Sequence, residues 1–401
     1  MEYTCNSKLI SFAFFSLLFI VSFGQANQTF HANNESRKLN RIRAYLNKIN
    51  KPAVNPDGDI IDCVLFHQQP AFDHPLLKGK KSMHPVPKAH NNSNHEFKSF
   101  QEWRKSGETC PEGTVAIRRT TEQDILRAGS VRKFRREVIR YQSVGDDVEW
   151  AMAYLDGGKY KGAAADVNIW APRVSDNQEF SAAQIYVGAA TNDQDANTLQ
   201  AGWIAAPSLF GDSWPRLFSY WTTDASRSTG CFNLFCPGYV HTSPSVAIGA
   251  RITTLSTYGG VQHDGYYEIR QDMDKERWVL RFPSANNEIG YWPMSLFTHL
   301  NKAPATKLEY GGTVRNKKTN GVHTGTQMGS GHFAEEGFGK AAHISNIKMA
   351  DDSNFGIPYS AGLLQTSAKS SNCYNVQFTP NDKRWGSYIY YGGPGKNNNC
   401  P

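Results

Sequence analysis

From about residue 144 to the last residue, apolar and polar residues alternate with a period of two, and this leaves few folds open. The alternation is clearest in residues 216–224, 246–256, 266–274, 277–282 and 385–393. It places every second side chain on one face of a strand. Glycine pairs such as Gly259-Gly260 mark turns between the runs, and no helical period of ten residues follows residue 150. The sequence therefore predicts a mainly β fold, a two-sheet antiparallel β-sandwich of the jelly-roll type.

The first third of the chain has a different pattern, which predicts a small α+β unit. Residues 37–50 place leucine and isoleucine at helical spacing, and Pro52 ends the run. Short strands are predicted around Ile60–Phe66 and at Thr114–Arg118. Residues 82–99 are rich in His, Asn and Pro and are predicted as a loop. Residues 132–142 (RKFRREVIRYQ) contain five Arg or Lys and are predicted as a cleavage linker.

The extreme N-terminus has the features of a secretory signal. Lys8 precedes an apolar run, Leu9–Phe23, and Gly24-Gln25-Ala26 provides a small-x-small cleavage site. The run is too short to span a bilayer comfortably. We therefore predict a signal peptide over residues 1–26, a secreted protein outside the cytosol or in the cell wall, and no membrane attachment once the signal is removed.

Six cysteines remain after the predicted signal, which contains Cys5. In an oxidising compartment an even number predicts disulfides rather than a metal site, and no CxxC pair is present. Sequence alone leaves 15 pairings open, but the grouping along the chain suggests Cys63–Cys110, Cys231–Cys236 and Cys373–Cys400.

Sequons and charge give two further expectations. N-glycosylation sequons stand at Asn27, Asn34 and Asn91. The net charge of +7 is concentrated before residue 150, because the remainder has 21 Lys or Arg against 20 Asp or Glu. A nucleic-acid-binding domain needs a basic stripe on its folded surface, so nucleic acid is not an expected partner.

Eight long strings, in one order along the chain, carry a resemblance to a known family. They are DGDIIDCVLFHQQPAFDHPLLK (57–78), ETCPEGTVAIRR (108–119), QAGWIAAPSLFGDSWPRLFSYWTTD (200–224), TGCFNLFCPGYVHT (229–242), NEIGYWP (287–293), LEYGGTV (308–314), TGTQMGSGHF (324–333) and YYGGPG (390–395). The first two resemble the activation peptide of the plant neprosin family, and the others resemble its peptidase domain.

The resemblance implies a secreted zymogen whose propeptide covers the cleft until it is removed in acid. It implies a glutamic endopeptidase that cuts beside proline, needs no metal or cofactor, and shares the three disulfides suggested above. It divides the chain into an activation propeptide (27–143) and a neprosin-type domain (144–401). The implied partners are the chain's own propeptide and a proline-containing peptide.

In active members, two glutamates on opposite sheets do the chemistry, and both positions differ here. One glutamate directly precedes the Ala-Gly-Trp string, where this chain has Gln200. The other directly follows the aromatic-Gly-Gly string, where this chain has Thr313. Glutamine cannot titrate, although it can donate a hydrogen bond to an oxyanion, and one branch of glutamic peptidases uses a Gln–Glu pair. Threonine cannot act as a general base, a loss of about 10²–10⁴ in rate.

Other residues have both a functional and a structural interpretation. Gln184 matches a glutamine of the family pattern and either points into the cleft or bonds a neighbouring strand. Glu309 and Glu288 are interpreted as structural carboxylates. Four aromatic residues either line a groove that accepts proline or belong to the core; these are Trp203, Tyr220, Trp221 and Tyr291.

His323 and His332 have no evident third ligand, so no metal is predicted. The leading hypothesis is a secreted neprosin-fold protein with little or no peptidase activity, whose cleft binds a peptide or a cell-wall polymer. The alternative is a working acid endopeptidase with proline preference. A carbohydrate-binding wall protein is a third possibility that rests only on the fold and on aromatic richness.

Overall fold

The structure is a computed structural model that describes residues 34–50, 61–79, 100–104, 109–140, 147–284, 286–318, 321–351 and 364–401, and the backbone of 53–54 and 355–358. The chain forms two compact units, Met1–Lys48 and Ile49–Pro401. The predicted signal, the sequons at Asn27 and Asn91 and the predicted loop 82–99 lie outside the described residues. Asn34 is exposed at the start of the first helix.

Helix α1 spans residues 34–49, which confirms the helix predicted for 37–50. Its apolar residues recur at the spacing of one helix face. Of the helices in the described ranges, none combines the length and the apolar character needed to cross a membrane.

A small three-stranded antiparallel sheet precedes the sandwich. Its strands are β1 (Ala53–Val54), β2 (Ile61–Leu65) and β3 (Thr114–Arg118), paired in that order, and β2 and β3 confirm the predicted strands. The Cys63–Cys110 disulfide joins β2 to the segment before β3. Helix α2 (Glu122–Arg127) follows, and its N-terminus is fixed by a capping box between Thr121 and Asp124.

Residues 132–142 were predicted as a basic linker, and this was wrong up to Arg140, because helix α3 spans Val131–Arg140. Phe134 and Val138 stand one helical turn apart and are both buried. The Phe134 ring lies 5.4 Å from that of Phe235. Two apolar residues within a charged run therefore hold the helix against the domain.

Two larger antiparallel sheets form the sandwich. The strands of the seven-stranded sheet are β4 (Val148–Tyr160), β6 (Ser181–Ala189), β7 (Asn197–Ala205), β8 (Arg216–Thr222), β9 (Cys231–Phe232), β14 (Ala305–Arg315) and β17 (Gln365–Ala368). The strands of the nine-stranded sheet are β5 (Gly162–Asn168), β10 (Val240–His241), β11 (Asp264–Asp272), β12 (Arg277–Arg281), β13 (Glu288–Pro293), β15 (Ala342–Ala350), β16 (Phe355–Pro358), β18 (Asn375–Asp382) and β19 (Gly386–Gly392). A one-turn helix, α4 (Pro207–Phe210), follows β7.

The strand orders are β17–β4–β14–β6–β7–β8–β9 and β10–β13–β12–β11–β5–β15–β19–β18, with β16 paired to β15. The two sheets pack face to face. The Trp203 indole N–H donates to the Asn168 carbonyl oxygen at 2.9 Å, which joins β7 to β5. The Tyr310 hydroxyl donates to the Lys348 carbonyl oxygen at 2.9 Å, which joins β14 to β15. The mainly β, two-sheet antiparallel prediction is confirmed.

One predicted strand, residues 246–256, is not a strand. Only isolated bridges form there, from Ile248 to Ile117, from Arg251 to Arg216 and from Ile252 to Gln101. The segment runs extended between β8 and the N-terminal part of the chain, so its peptide groups find partners on both sides. It therefore alternates like a strand without having a continuous neighbour.

The three disulfides join the cysteines that the grouping suggested. Besides Cys63–Cys110 they are Cys231–Cys236 and Cys373–Cys400. The Cys231–Cys236 disulfide closes a short loop at β9, and the Cys373–Cys400 disulfide joins the segment before β18 to the C-terminus.

Candidate active site

The two positions of the family glutamates lie on one sheet, not on opposite sheets as the resemblance implied. Gln200 is on β7 and pairs with Tyr186 of β6. Thr313 is on β14 and pairs with Ala182 of β6. The central strand β6 therefore separates the two positions.

Both side chains lie on the face of the seven-stranded sheet that is turned away from the nine-stranded sheet. The side chains of Trp203 on β7 and Tyr310 on β14 bond the nine-stranded sheet, so they point inward. Successive side chains along a strand point to opposite faces, so a residue three positions from either of them points outward. Gln200 lies three residues before Trp203, and Thr313 lies three residues after Tyr310. Gln184 pairs with Gly202 and shares their face. We call this surface the cleft face.

Gln184 stands midway between the other two. Its register neighbours are Gly202 on β7 and Gly311 on β14, so Gln200 and Thr313 each lie one diagonal step away, about 7–8 Å between Cα atoms in a regular sheet. The diagonal therefore runs Gln200, Gln184, Thr313, with glycine on either side of the middle residue.

The two glycines are required by close backbone contact. A Cβ on Gly202 would lie 1.9 Å from the Ala183 carbonyl oxygen, and one on Gly311 would lie 2.4 Å from the Ala151 carbonyl oxygen. No L side chain fits at those distances, so the floor of the cleft face stays bare around Gln184.

We expect Gly202→Ala to lower the free energy of unfolding by about 1–3 kcal/mol, because the strands must separate to admit the methyl group. Urea unfolding measures this. Gly325→Ala is the matched control, since its Cβ would meet only side-chain atoms of Ser175 and Arg173 at 3.3 Å and 3.4 Å. Equal stability of the two variants would contradict the close approach at Gly202.

The polar atoms on this diagonal lack partners. Gln184 Oε1, Gln200 Oε1 and Thr313 Oγ1 are buried and accept no hydrogen bond from any described residue. Each residue is 5 % exposed. Buried polar atoms are normally bonded to protein or water. Three free acceptors in one row therefore suit water or the N–H groups of a bound chain, and none of the three side chains can take up a proton near neutral or acid pH.

The two glutamates interpreted as structural carboxylates have partners of their own. Glu309 pairs with Tyr186, the same residue that pairs with Gln200 on the other side, so it also belongs to the cleft face. Its carboxylate is bound by the Lys307 ammonium at 2.7 Å. Glu288 forms a two-point ion pair with the Arg277 guanidinium at 2.8 Å and 3.1 Å.

Helix α3 brings a third carboxyl group, which the sequence reasoning missed. The Tyr220 hydroxyl, on the cleft face beside Gln200, donates to the Ile139 carbonyl oxygen of α3 at 2.5 Å. On the same helix Glu137 Oε2 is buried and has no hydrogen-bond partner among the described residues. Burial raises the pKa of Glu137, which the positive charges of Arg315, Arg136 and Lys133 partly offset. The signal in the sequence was one acidic residue within a basic run.

The aromatic candidates lie in different places. Trp203 lies between the two sheets rather than on the cleft face, because its indole bonds β5. Tyr220 is on the cleft face but is covered by α3. Trp221 is buried against the rings of Phe297 and His74. Tyr291 is buried in a cluster with residues from β2 and β3 and lies under the guanidinium of Arg277.

The histidines are held by carboxylates. His323 Nε2 lies 2.9 Å from Glu149 Oε2, and His332 Nδ1 lies 2.8 Å from Glu336 Oε1. In the described part of the chain, the one group of possible metal ligands combines His323 with Cys373 and Cys400. Those two cysteines are joined in a disulfide, so they have no thiolate to offer a metal.

Two family models match the chain, Neprosin over residues 177–394 and Neprosin activation peptide over residues 54–155. Similar solved structures include scytalido-glutamic peptidase with a peptide-based transition state analog, at 9 % identity and a TM-score of 0.34. They also include SCP-B, a member of the Eqolisin family of peptidases, in a complex with the tripeptide Ala-Ile-His, at 10 % identity and a TM-score of 0.33. Each match covers 62 % of this chain and 98 % of the other. The activation-peptide match ends within β4, and the boundary at 143/144 stays a prediction.

Proposed function

Because the chain belongs to the neprosin family, we propose that it is a secreted protein that has lost peptide hydrolysis and binds a proline-containing peptide along its cleft face. The organisation into a signal (1–26), an activation propeptide (27–143) and a neprosin-type domain (144–401) is part of this proposal. The apolar run Leu9–Phe23 and the three disulfides support secretion.

The observation that carries the proposal is the composition of the diagonal on the cleft face. Hydrolysis of an amide needs a group that takes a proton from water and another that stabilises the oxyanion. Gln200 and Thr313 offer an amide and an alcohol, and neither ionises in the relevant range. Without a base the reaction loses about 10²–10⁴ in rate, or about 3–5 kcal/mol of barrier.

The same atoms suit binding. An extended peptide presents N–H groups at regular intervals, and the free oxygens of Gln184, Gln200 and Thr313 are spaced along one line on the sheet. Proline has no N–H, so a proline-rich chain leaves some acceptors to water. A cell-wall polymer would use the same acceptors through its hydroxyl groups and is the other ligand class to be tested.

The test is a combined cleavage and binding assay. The chain is cut between α3 and β4 and incubated with a proline-containing peptide at about pH 3, the acid range in which carboxylate pairs work. We expect no turnover above buffer, together with saturable binding by fluorescence anisotropy that Gln184→Ala weakens. Turnover comparable to that of active relatives would overturn the proposal. Binding only to a wall polysaccharide would replace the peptide as ligand.

The alternative function is an acid endopeptidase with an altered pair. It is favoured by Glu309, which shares the cleft face and is aligned with Gln200 through Tyr186. If turnover appears, Glu309→Gln should abolish it under this alternative and Thr313→Ala should not.

A further inference from the structure

The N-terminal part of the second unit packs against the nine-stranded sheet with buried apolar residues. We call its described residues 61–79, 100–104 and 109–119 the anchored segment. It shares one buried cluster with the nine-stranded sheet. The segment contributes Val64, Phe66, Ala71, Phe72, Leu77, Val115 and Ile117, and the sheet contributes Val240, Val279 and Tyr291. A second cluster joins Trp103 and the Cys63–Cys110 disulfide to Ala247 and Ala250.

Each of two buried glutamines in the segment forms two hydrogen bonds with the backbone of one domain residue. The side-chain amide donates one bond and accepts the other. Gln69 Nε2 donates to the His241 carbonyl oxygen at 3.0 Å, and the His241 N–H donates to Gln69 Oε1 at 2.7 Å. Gln101 Nε2 donates to the Ala247 carbonyl oxygen at 2.7 Å, and the Ala247 N–H donates to Gln101 Oε1 at 2.9 Å. The glutamines are 1 % and 2 % exposed, so separation would uncover eight paired polar atoms at once.

Main-chain bonds continue the junction. The Cys110 N–H donates to the Pro244 carbonyl oxygen at 2.9 Å, and the Ala116 N–H donates to that of Ser243 at 3.0 Å. In the other direction, the Thr253 N–H donates to the Phe100 carbonyl oxygen at 3.0 Å. Hence the anchored segment supplies part of the backbone hydrogen bonding of residues 243–253, whose other side is bonded by Leu217 and Pro215.

Little charge is buried at this junction near neutral pH. Burial lowers the pKa of His241 to about 4, although its hydrogen bonds to backbone carbonyls oppose the shift. The ring is therefore neutral at pH 7. The ion pair across the junction, Arg251 with Glu102 at 3.1 Å, is partly exposed. Apolar burial and neutral hydrogen bonds hold the two parts together.

We propose that the anchored segment is not released when the chain is cut between α3 and β4, but remains as a non-covalent second chain of the processed protein. None of the three disulfides joins the part before the cut to the part after it. Non-covalent packing alone therefore retains the anchored segment. This goes beyond the proposed function and holds whether or not the cleft hydrolyses peptides.

The test replaces residues 141–146 by the recognition sequence of a site-specific protease and cuts the folded protein at pH 7. Size-exclusion chromatography at low micromolar concentration should show one peak at the mass of the uncut chain, and denaturing electrophoresis should show two fragments in equal amounts. Two separate peaks would overturn the proposal.

A variant pair assigns the retention to the glutamines. After cutting, Gln69→Ala with Gln101→Ala should raise the dissociation rate on dilution at least tenfold, because buried peptide groups lose their partners. Gln377→Ala is the matched control, since it removes an exposed amide that donates to Glu335 at 3.0 Å. Circular dichroism before cutting checks folding. If the double variant fails to fold, Gln69→Met keeps the volume and should still speed release. An unchanged rate in a folded variant would overturn the assignment.

Discussion

Restoring carboxyl groups at both family positions, Gln200→Glu together with Thr313→Glu, is expected to raise the rate of cleavage of a proline-containing peptide at about pH 3 by about 10²–10⁴. The two positions share one face, on either side of Gln184. The residues paired with Gln184 on the two neighbouring strands are both glycines, so no side chain next to Gln184 separates the two positions. Carboxyl groups at the two positions can act as base and acid on a water molecule bound between them.

The single variants separate the two roles. Thr313→Glu alone should recover more activity than Gln200→Glu alone, because it pairs a base with an amide donor that is already present. Thr313→Gln, of similar size but unable to ionise, should stay inactive. A double variant that folds, binds peptide and remains as inactive as the natural chain would show that the loss of acid–base groups is not the cause.

Glu149→Gln is expected to lower the free energy of unfolding by about 3–5 kcal/mol at pH 5.5, since it breaks a buried ion pair from one side. Glu149 and His323 have side chains that are 1 % and 8 % exposed, and their atoms lie 2.9 Å apart. Asn316 Nδ2 also donates to Glu149 Oε1 at 2.9 Å. Burial by itself would raise the pKa of Glu149, but the hydrogen bonds from His323 and Asn316 lower it to about 2.

The same pair sets a pH window for stability. Burial by itself would lower the pKa of His323, but Glu149 raises it above the usual 6.5. The depressed carboxyl contributes stability above pH 4.5 that is lost as pH falls towards 2. The raised imidazole contributes stability below pH 6.5 that is lost as pH rises through its folded pKa. The pair therefore stabilises most between pH 4.5 and pH 6.5.

Urea unfolding at several pH values measures both effects. Glu276→Gln is the control, because Glu276 and its partner Lys302 are 60 % and 57 % exposed, and exposed pairs contribute about 0–1 kcal/mol. A Glu149→Gln loss no larger than that of the control, at every pH, would contradict the assignment.

The strands that could be predicted from sequence are alternating runs that have a partner strand on each side. RLFSYWTTD, YYEIRQDMD and RWVLRF correspond to β8, β11 and β12. Residues 246–256 alternate equally well but form only isolated bridges with their neighbours. Period two shows that a chain is extended, not that it has a continuous partner strand.

The site could be predicted only as a list of positions. Motif order placed Gln184, Gln200 and Thr313, but their common face depends on a register that only the fold provides. The inward orientation of Trp203 follows from the same alternation of side chains along β7. Glu137 is marked in the sequence only as an acidic residue within a basic run, because its place in the site depends on how α3 packs.

The reciprocal bond between Gln69 and His241 has a practical consequence for work with fragments. Strand β10 is an edge strand of the nine-stranded sheet. The Gln69 side-chain amide bonds the N–H and the carbonyl oxygen of His241 on this strand, which would otherwise be unpaired. Unpaired edge strands can pair with strands of other chains. A recombinant fragment that starts at residue 144 would leave this edge open to pairing, whereas one that starts before Ile61 keeps it covered.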